Sequence, residues 1–310
     1  MPPPTTKYLK KENTLSETFH FHHNNFLGIP PEYSSPKSPF VIFPVGYDST
    51  TSYRAGTREG PAAILAASKQ VELYDDELGF EPYEVGIYTH PALEITTKGP
   101  KEMLERVYRA VLPLARKKKK VIMLGGEHSL TFGAVKAYKQ VYKNLSVLQI
   151  DAHADLRDSF EDSPYNHACV MRRVSEICPT VGVGIRNYSV EEAKFIKAKK
   201  IPVVSAYSFI SGETSIDEIL DRLTDTVYLT FDLDGFDPSF MPAVGTPEPG
   251  GLGWYETLKL LRFLTERKRV VGFDVMELCP LPGQIFSDFI AAKLIYKIIG
   301  YLVTQIRKSN

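Results

Sequence analysis

Three short clusters of aspartate and histidine side chains follow strongly apolar runs of this sequence, at 121–124, 145–150 and 227–231. Carboxylate and imidazole groups are metal ligands, and residues just beyond the carboxyl ends of buried parallel strands meet in one crevice. We therefore expect six side chains of these clusters to form one metal site. They are His128, Asp151, His153, Asp155, Asp232 and Asp234.

The donor set indicates the kind of metal. Four carboxylates and two imidazoles without a thiolate suit Mn²⁺, Fe²⁺ or Mg²⁺ better than a structural zinc ion. Four clustered aspartates repel one another strongly, and two divalent ions balance that charge better than one. The sequence therefore predicts a binuclear site, with Mn²⁺ as the first choice, that could activate water for hydrolysis.

Two other interpretations of the clusters fit the sequence less well. The stretch 232–235 resembles the start of a calcium-binding loop, but that loop has Gly at its sixth position and Glu at its twelfth, where this chain has Asp237 and Ala243. The glycine pair at 125–126 could cradle a phosphate, yet the lysine and hydroxyl residue of a phosphate-binding loop do not follow it. Neither interpretation is favoured.

The elements that must position these clusters alternate along the chain. Eight apolar runs rich in β-branched residues are typical of buried strands, and the segments between them have helical spacing. The pattern predicts an α/β fold with a mostly parallel sheet and helices on both faces. The predicted strands are 40–45, 83–88, 121–124, 145–150, 180–183, 201–204, 227–231 and 269–275, and the predicted helices are 61–74, 101–117, 131–142, 190–199, 215–223, 255–267 and 287–306.

No linker or change of composition interrupts this alternation. We therefore expect residues 36–310 to form a single catalytic domain after an N-terminal arm of residues 1–35. His20, His22 and His23 lie in that arm without a carboxylate at ligand spacing, which favours a surface or subunit contact over a metal site.

The overall charge and the cysteines restrict the partners. Lys plus Arg and Asp plus Glu both total 37, so the net charge is zero. This balance argues against binding to nucleic acid or to an anionic membrane, and it leaves small polar molecules as partners. The three cysteines are too widely spaced for a disulfide framework or a thiolate zinc site. Because no signal peptide or membrane span is evident either, we expect a cytoplasmic protein.

Taken together, the three clusters resemble the signature blocks of the ureohydrolase family, which contains arginases and agmatinases. The blocks are Gly-Gly-Glu-His-Ser at 125–129, Asp-Ala-His-Ala-Asp at 151–155 and Phe-Asp-Leu-Asp-Gly-Phe-Asp-Pro at 231–238. The likeness extends over most of the chain and is strongest for the agmatinase-like branch. It implies a three-layer, arginase/deacetylase-like fold with a central eight-stranded sheet, hydrolysis of a guanidino group to urea and an amine, and a homo-oligomer, either a trimer or a hexamer.

The same resemblance implies the metal ligands of each ion. One Mn²⁺ would be held by His128, Asp151, Asp155 and Asp232, and the other by Asp151, His153, Asp232 and Asp234. Asp151 and Asp232 would therefore bridge the two ions.

The resemblance also implies catalytic and substrate-binding residues. His167 would exchange protons with solvent, and Glu277 would bind the guanidinium group of the substrate. Glu277 follows the apolar run 269–275, so its position alone places it at the same crevice. We expect Asp234 to carry a proton to the leaving nitrogen, and Asn166 to contact the substrate beside His167.

The segments expected to surround the rest of the substrate depart from the agmatinase pattern. Asn-His-Ala at 166–168 stands in place of Ser-His-Gly, and Pro-Ala-Val-Gly-Thr-Pro at 242–247 in place of Pro-Gly-Thr-Gly-Thr-Pro. Agmatine is the expected substrate, while aminopropyl-agmatine, guanidinobutyrate, free guanidine and a formimino compound stay open, as do Ni²⁺ and Fe²⁺ as metals. All six ligand positions are filled, which argues against a catalytically silent relative.

Overall fold

Eight strands form one sheet in the computed structural model, which describes residues 23–309. They are β1 Phe40–Val45, β2 Ile87–Thr89, β3 Lys120–Gly125, β4 Leu145–Ile150, β5 Thr180–Ile185, β6 Val203–Ser205, β7 Thr226–Asp232 and β8 Arg269–Met276. Their order is β2-β1-β3-β8-β7-β4-β5-β6, and every neighbouring pair is parallel. The predicted eight-stranded α/β fold is confirmed, with a sheet that is parallel throughout.

The strands form in segments whose side chains are apolar on both faces of the sheet. Every residue of β1, β4 and β5 is buried, as expected of strands that are covered on both faces. The largest difference from the prediction lies at 83–88, where the strand starts only at Ile87. A 3-10 helix, Pro82–Val85, occupies the earlier positions, and Gly86 follows with a φ of +94°, which interrupts an extended chain.

Within residues 23–309, nine α-helices accompany the sheet. They are α1 Gly60–Ser68, α2 Pro100–Arg116, α3 Thr131–Val141, α4 Val170–Ser175, α5 Val190–Lys199, α6 Ala206–Ile210, α7 Ile216–Asp221, α8 Trp254–Arg267 and α9 Phe286–Ser309. Side chains of α2 to α5 pack in one apolar layer, and those of α1 and α6 to α9 pack in the other. The sequence did not predict α4 and α6, which have six and five residues. α7 is as short as α4, but it lies within the longer predicted segment 215–223.

The last helix, α9, lies in the core. Its segment Phe286–Arg307 is long and apolar enough to cross a membrane, but 67% of its most apolar window is buried inside the protein. Lys297 of this helix is itself buried, and its ammonium group lies 2.9 Å from a carboxylate oxygen of Asp75 and 2.6 Å from one of Glu77. The helix therefore fills one apolar layer and holds the loop that follows α1 through a buried ion pair with Asp75 and a second pair with the exposed Glu77.

The described part of the N-terminal segment packs against the same layer. Phe26, Leu27 and Ile29 are buried in the core, and the backbone N–H of Leu27 donates a hydrogen bond to the Ser68 hydroxyl at 2.9 Å. The end of the segment expected to form an arm is thus part of the packed structure. Two of the three N-terminal histidines lie outside the described residues, so their expected surface or subunit contact stays a prediction.

The strand order brings distant parts of the chain to one edge. The four central strands are β3, β8, β7 and β4. At or just beyond their carboxyl ends lie, in the same order, His128, Glu277, Asp232 and Asp151. Because parallel strands open their carboxyl ends at the same edge, the sheet alone collects these four side chains.

Candidate metal centre

Three carboxylates surround the imidazole of His128. Its Nδ1 lies 3.1 Å from an oxygen of Asp151, 3.1 Å from one of Asp155 and 3.2 Å from one of Asp232. All four side chains are buried, and yet His128 Nδ1 has no aligned hydrogen-bond partner among the described residues. A nitrogen that faces three carboxylate oxygens without a hydrogen bond to any of them fits a shared cation between the four groups.

A hydrogen-bonded chain indicates which nitrogen of His128 carries the proton. The hydroxyl of Thr230 donates to Asp274 at 2.6 Å, so its oxygen is left to accept a hydrogen bond from His128 Nε2 at 2.8 Å. Hydroxyl groups of Thr131 and Tyr228 donate to the other oxygen of Asp274. With the proton on Nε2, His128 Nδ1 presents a lone pair to the carboxylates, which is the form that binds a metal ion.

A second cluster shares Asp151 with the first. The Nδ1 atom of His153 lies 3.0 Å from a carboxylate oxygen of Asp234 and 3.7 Å from one of Asp151. In each of two groups, His128 with Asp151 and Asp232, and Asp151 with His153 and Asp234, the potential ligand atoms lie within 4.8 Å of one another. Because Asp151 belongs to both groups, its two oxygens are placed to serve two adjacent cations.

The electrostatics of the clusters also favour cations. Burial, together with the charges of Asp155 and Asp234, raises the pKa of Asp151 to about 7. Burial and the neighbouring carboxylates also raise the pKa of Asp232 well above its usual range. Burial acts to lower the pKa of His153, but the adjacent Asp234 outweighs it and raises that pKa to about 11. The site is thus an excess of buried negative charge that divalent ions would neutralise.

All six predicted ligands meet at this edge of the sheet. Two hydrogen bonds orient Asp151. The backbone N–H of His153 donates to one carboxylate oxygen at 2.6 Å, and the side chain of Gln149 donates to the other at 2.8 Å. Asp155 reaches the cluster with a φ of +53°, which is uncommon for a residue other than glycine. The division of the ligands between two ions stays a prediction.

Glu277 lies beside the clusters at the end of β8, where it also has a positive φ, of +64°. It is 7% exposed, and its Oε1 accepts a hydrogen bond from the backbone N–H of His128 at 2.6 Å. No lysine or arginine of residues 23–309 forms an ion pair with it, and burial raises its pKa well above the usual range, with Glu127 adding to the effect. A buried carboxylate without a cation is suited to bind a guanidinium group.

His167 and Asn166, which are adjacent in the sequence, have different surroundings. His167 lines a cavity together with Glu277 and with the expected ligands His153, Asp155, Asp232 and Asp234. Asn166 instead caps the 3-10 helix His167–Cys169, because its side-chain oxygen accepts from the backbone N–H of Ala168 at 3.0 Å. Asn166 is not among the described residues that line the cavity, so this arrangement does not support the expected contact with substrate.

The cavity has a volume of about 200 Å³. Its outer wall contains side chains that were not predicted from the sequence, among them Tyr53, Arg157, Phe160 and Tyr188. Tyr53 is 81% exposed and Tyr188 49% exposed. All four lie in loops that follow β1, β4 or β5, and a position beyond the carboxyl end of a strand is the signal that could have identified them.

The glycine before Glu127 allows two loops to touch. A Cβ atom at Gly126 would lie 1.9 Å from the carbonyl oxygen of Tyr47, so any side chain there would force the loops after β1 and β3 apart. The backbone N–H of Glu127 donates to the same carbonyl at 2.9 Å. This contact accounts for the glycine without a bound phosphate, and it brings Glu127 next to the loop after β1.

Comparison with known proteins agrees with this geometry. A sequence model described as the Arginase family matches residues 38–300. The N(1)-aminopropylagmatine ureohydrolase of Synechocystis sp. is 47% identical over 276 residues, which cover 86% of this chain and 90% of that protein. The protein with the same name in Thermococcus kodakarensis is 38% identical over 270 residues, or 85% and 91% of the two chains. The crystal structure of the agmatine ureohydrolase of Thermoplasma volcanium is similar, with a TM-score of 0.83 and 31% identity over 95% of this chain and 98% of that one.

Proposed function

Because the chain belongs to the arginase family, whose members are metal-dependent amidinohydrolases, we propose that it hydrolyses aminopropyl-agmatine to urea and a polyamine. The two relatives with this substrate in their names favour it over agmatine, the substrate first expected from the sequence. We further propose that residues 36–310 act as one catalytic unit.

One observation carries the proposal. The buried Glu277, which lacks a cationic partner among the described residues, lines the same cavity as His167 and four of the six expected ligands. These four are His153, Asp155, Asp232 and Asp234. A guanidinium group bound by this carboxylate would lie directly beside the clusters. A metal site of purely structural function would not need an unpaired acid at its side.

We assign two Mn²⁺ ions to the clusters. The oxygen-rich donor set and the position of Asp151 between the clusters support this assignment. The first ion would be held by His128, Asp151, Asp155 and Asp232, and the second by Asp151, His153, Asp232 and Asp234. When bound, such ions lower the pKa of water and so supply a nucleophile near neutral pH.

The residues of the chain would bind the substrate and move its protons. Glu277 binds the guanidinium through paired hydrogen bonds and holds its carbon at about 3 to 3.5 Å from the attacking water. Asp234 takes up the proton of that water and passes it to the leaving nitrogen, which departs only as a neutral amine. His167 then exchanges protons between the cavity and solvent.

The outer wall of the cavity suits a cationic tail. Tyr53 and Tyr188 offer aromatic faces, to which ammonium groups are attracted by about 0.5–1 kcal/mol at exposed sites. Phe160 already carries the guanidinium of Arg157, 4.7 Å from the centre of its ring. Aminopropyl-agmatine carries a secondary and a primary amine beyond its guanidinium, so it can reach these rings. Agmatine is shorter and carries only one amine.

A second candidate, guanidinobutyrate, is favoured by two arginines in the same wall. Arg54 and Arg157 line the cavity, and either could pair with the carboxylate of this substrate. Both already have protein partners, since Arg54 donates to the carbonyl of Pro280 at 3.0 Å and Arg157 lies 3.8 Å from Glu192. We therefore rank guanidinobutyrate second.

The test is urea release by the metal-loaded protein. Aminopropyl-agmatine, agmatine, guanidinobutyrate, arginine and free guanidine are each supplied with Mn²⁺, Ni²⁺ or Fe²⁺, and kcat/KM is compared. We expect aminopropyl-agmatine with Mn²⁺ to lead agmatine by about tenfold or more. Tyr188→Ala should raise KM for aminopropyl-agmatine, whereas Tyr207→Ala, at an exposed position on α6, should not. Absence of urea from every substrate, despite bound metal, would overturn the proposal.

The setting of the enzyme is also proposed. The three cysteines are free and buried, which suits the reducing cytoplasm. We propose a homo-oligomer, either a trimer or a hexamer, and a mass measurement in solution would decide between them.

A further inference from the structure

A single hydroxyl group links a buried carboxylate to the imidazole of His167. Thr50, in the loop after β1, places its Oγ1 2.9 Å from Glu127 Oε1, 2.9 Å from the backbone nitrogen of His167 and 3.3 Å from His167 Nδ1. Thr50 and Glu127 are buried, while His167 lines the cavity. The mechanism above uses neither Thr50 nor Glu127.

The carboxylate of Glu127 is held rigidly by donors. Its Oε2 accepts from the backbone N–H groups of Ser49 at 2.5 Å and Thr50 at 2.6 Å. Its Oε1 accepts from the hydroxyl of Ser129 at 2.5 Å. No lysine, arginine or histidine of residues 23–309 forms an ion pair with it. Glu127 is therefore an acceptor fixed beside Thr50.

The direction of the Thr50 hydroxyl follows from this acceptor. A threonine hydroxyl has one hydrogen, and a carboxylate can only accept, so Thr50 donates to Glu127. The oxygen of Thr50 is then left to accept from the backbone N–H of His167 and from its ring. The ring can donate there only if Nδ1 carries the proton, and in a neutral imidazole Nε2 is then unprotonated.

We propose that Glu127 is a positioning residue that acts through Thr50 to hold neutral His167 with its proton on Nδ1, leaving Nε2 to accept a proton from the cavity. The proposal rests on the proton exchange assigned to His167 under the proposed function. It adds to that function the reason why one ring nitrogen, and not the other, takes part.

The same arrangement of carboxylate, threonine hydroxyl and imidazole occurs at His128, where the hydroxyl contacts the other ring nitrogen. There the Thr230 hydroxyl donates to Asp274 and accepts from Nε2, which leaves the lone pair on Nδ1. A threonine between a carboxylate and an imidazole thus fixes both histidines. In each case the free lone pair lies on the ring nitrogen that the hydroxyl does not contact.

Neutron diffraction of the metal-loaded protein tests the tautomer directly. Crystals are exchanged into D₂O at an alkaline pD of about 9. We expect deuterium on His167 Nδ1 and a Thr50 O–D directed at Glu127. Deuterium on Nε2 alone, or a Thr50 O–D directed at His167, would overturn the proposal, and the wild-type chain suffices for this test.

Kinetics tests the consequence. Thr50→Val removes the hydroxyl, and we expect kcat to fall about tenfold, while Thr50→Ser keeps the hydroxyl and stays within about twofold of the wild type. Bound metal should remain at two ions per chain in both variants. If Thr50→Ser is as slow as Thr50→Val, the hydroxyl is not the cause and the proposal fails.

A double-mutant cycle separates this proposal from the proposed function. In a His167→Ala background, Thr50→Val should lower kcat no further, because its effect passes through His167. An equal loss in both backgrounds would overturn the proposal. A normal rate for His167→Ala alone would overturn the proton exchange assigned to this residue and, with it, the catalytic part of the proposal. The neutron density would then still decide the tautomer of His167.

Discussion

Glu277 Oε1 accepts a hydrogen bond from the backbone N–H of His128 at 2.6 Å, across 149 positions of the sequence. This bond joins the ends of the neighbouring strands β8 and β3. The acid proposed to bind substrate and the imidazole proposed to bind metal therefore share one rigid edge. Such a fixed spacing is what orients a bound carbon for attack.

Glu277→Gln should separate the charge of this side chain from its shape. The amide oxygen can still accept from His128, but the negative charge that binds guanidinium is lost. We expect kcat/KM to fall by about 100- to 1,000-fold, the scale for removing one member of a buried charged pair. Bound metal should stay unchanged. A variant with both metal and a near-normal kcat/KM would show that another group binds the guanidinium.

Asp232→Ala should remove metal and activity together. Asp232 contributes an oxygen 3.2 Å from His128 Nδ1, and removing one of the few ligands of a site empties it at micromolar metal. Metal analysis after dialysis, with urea release in parallel, measures both. Asp237→Asn is the matched control: this residue lies in the same motif but accepts from the backbone N–H groups of Gly250 and Gly251, so metal should remain.

Thr230→Val should weaken metal binding although it replaces none of the expected metal ligands. The variant removes the acceptor of His128 Nε2 and frees the ring to rotate or change tautomer, so we expect the metal affinity to fall about 10- to 100-fold. Competition with a chelator measures the affinity. Thr230→Ser, which retains the hydroxyl, should recover most of it; an equal loss in the two variants would point to packing as the cause.

Lys297→Met should destabilise the fold. The change leaves Asp75, which is fully buried, without its cation, and breaking a buried ion pair from one side costs about 3–5 kcal/mol. The free energy of unfolding in urea measures this loss. Lys293→Met, at a partly exposed position one turn earlier on α9, should change it by less than about 0.5 kcal/mol. If both variants lose the same free energy of unfolding, the loss does not come from breaking the ion pair between Lys297 and Asp75.

The ends of the strands made much of this site predictable from the sequence. Long apolar runs mark β4 and β7, and the chemistry-bearing residues follow each run at once, so parallel pairing alone places Asp151 and Asp232 together. Short elements were harder to predict. α4 and α6 are single short turns of helix that the predicted helices did not include, and β2 starts late because a proline and a positive-φ glycine precede it.

The residues that fix the histidines gave a weaker signal. Thr230 and Asp274 are polar positions inside otherwise apolar strands, a pattern that marks a buried hydrogen bond without naming its partner. Thr50 and Glu127 come from two loops whose contact depends on a close backbone approach at Gly126. The outer wall depends on loop conformation, which no periodic pattern encodes, and for that reason the sequence left the substrate tail open.

The expected ligands at or just beyond the carboxyl ends of β3, β7 and β4 would give bound ions a mechanical role besides chemistry. Ions bound at these positions would cross-link the central strands of the sheet, because the strands could not separate without releasing the ions. At a free metal concentration of 100 times Kd, each site would add about 2.7 kcal/mol to the resistance against unfolding. A cell starved of the metal would therefore lose protein to proteolysis as well as turnover, so the abundance of this enzyme would follow the supply of its metal.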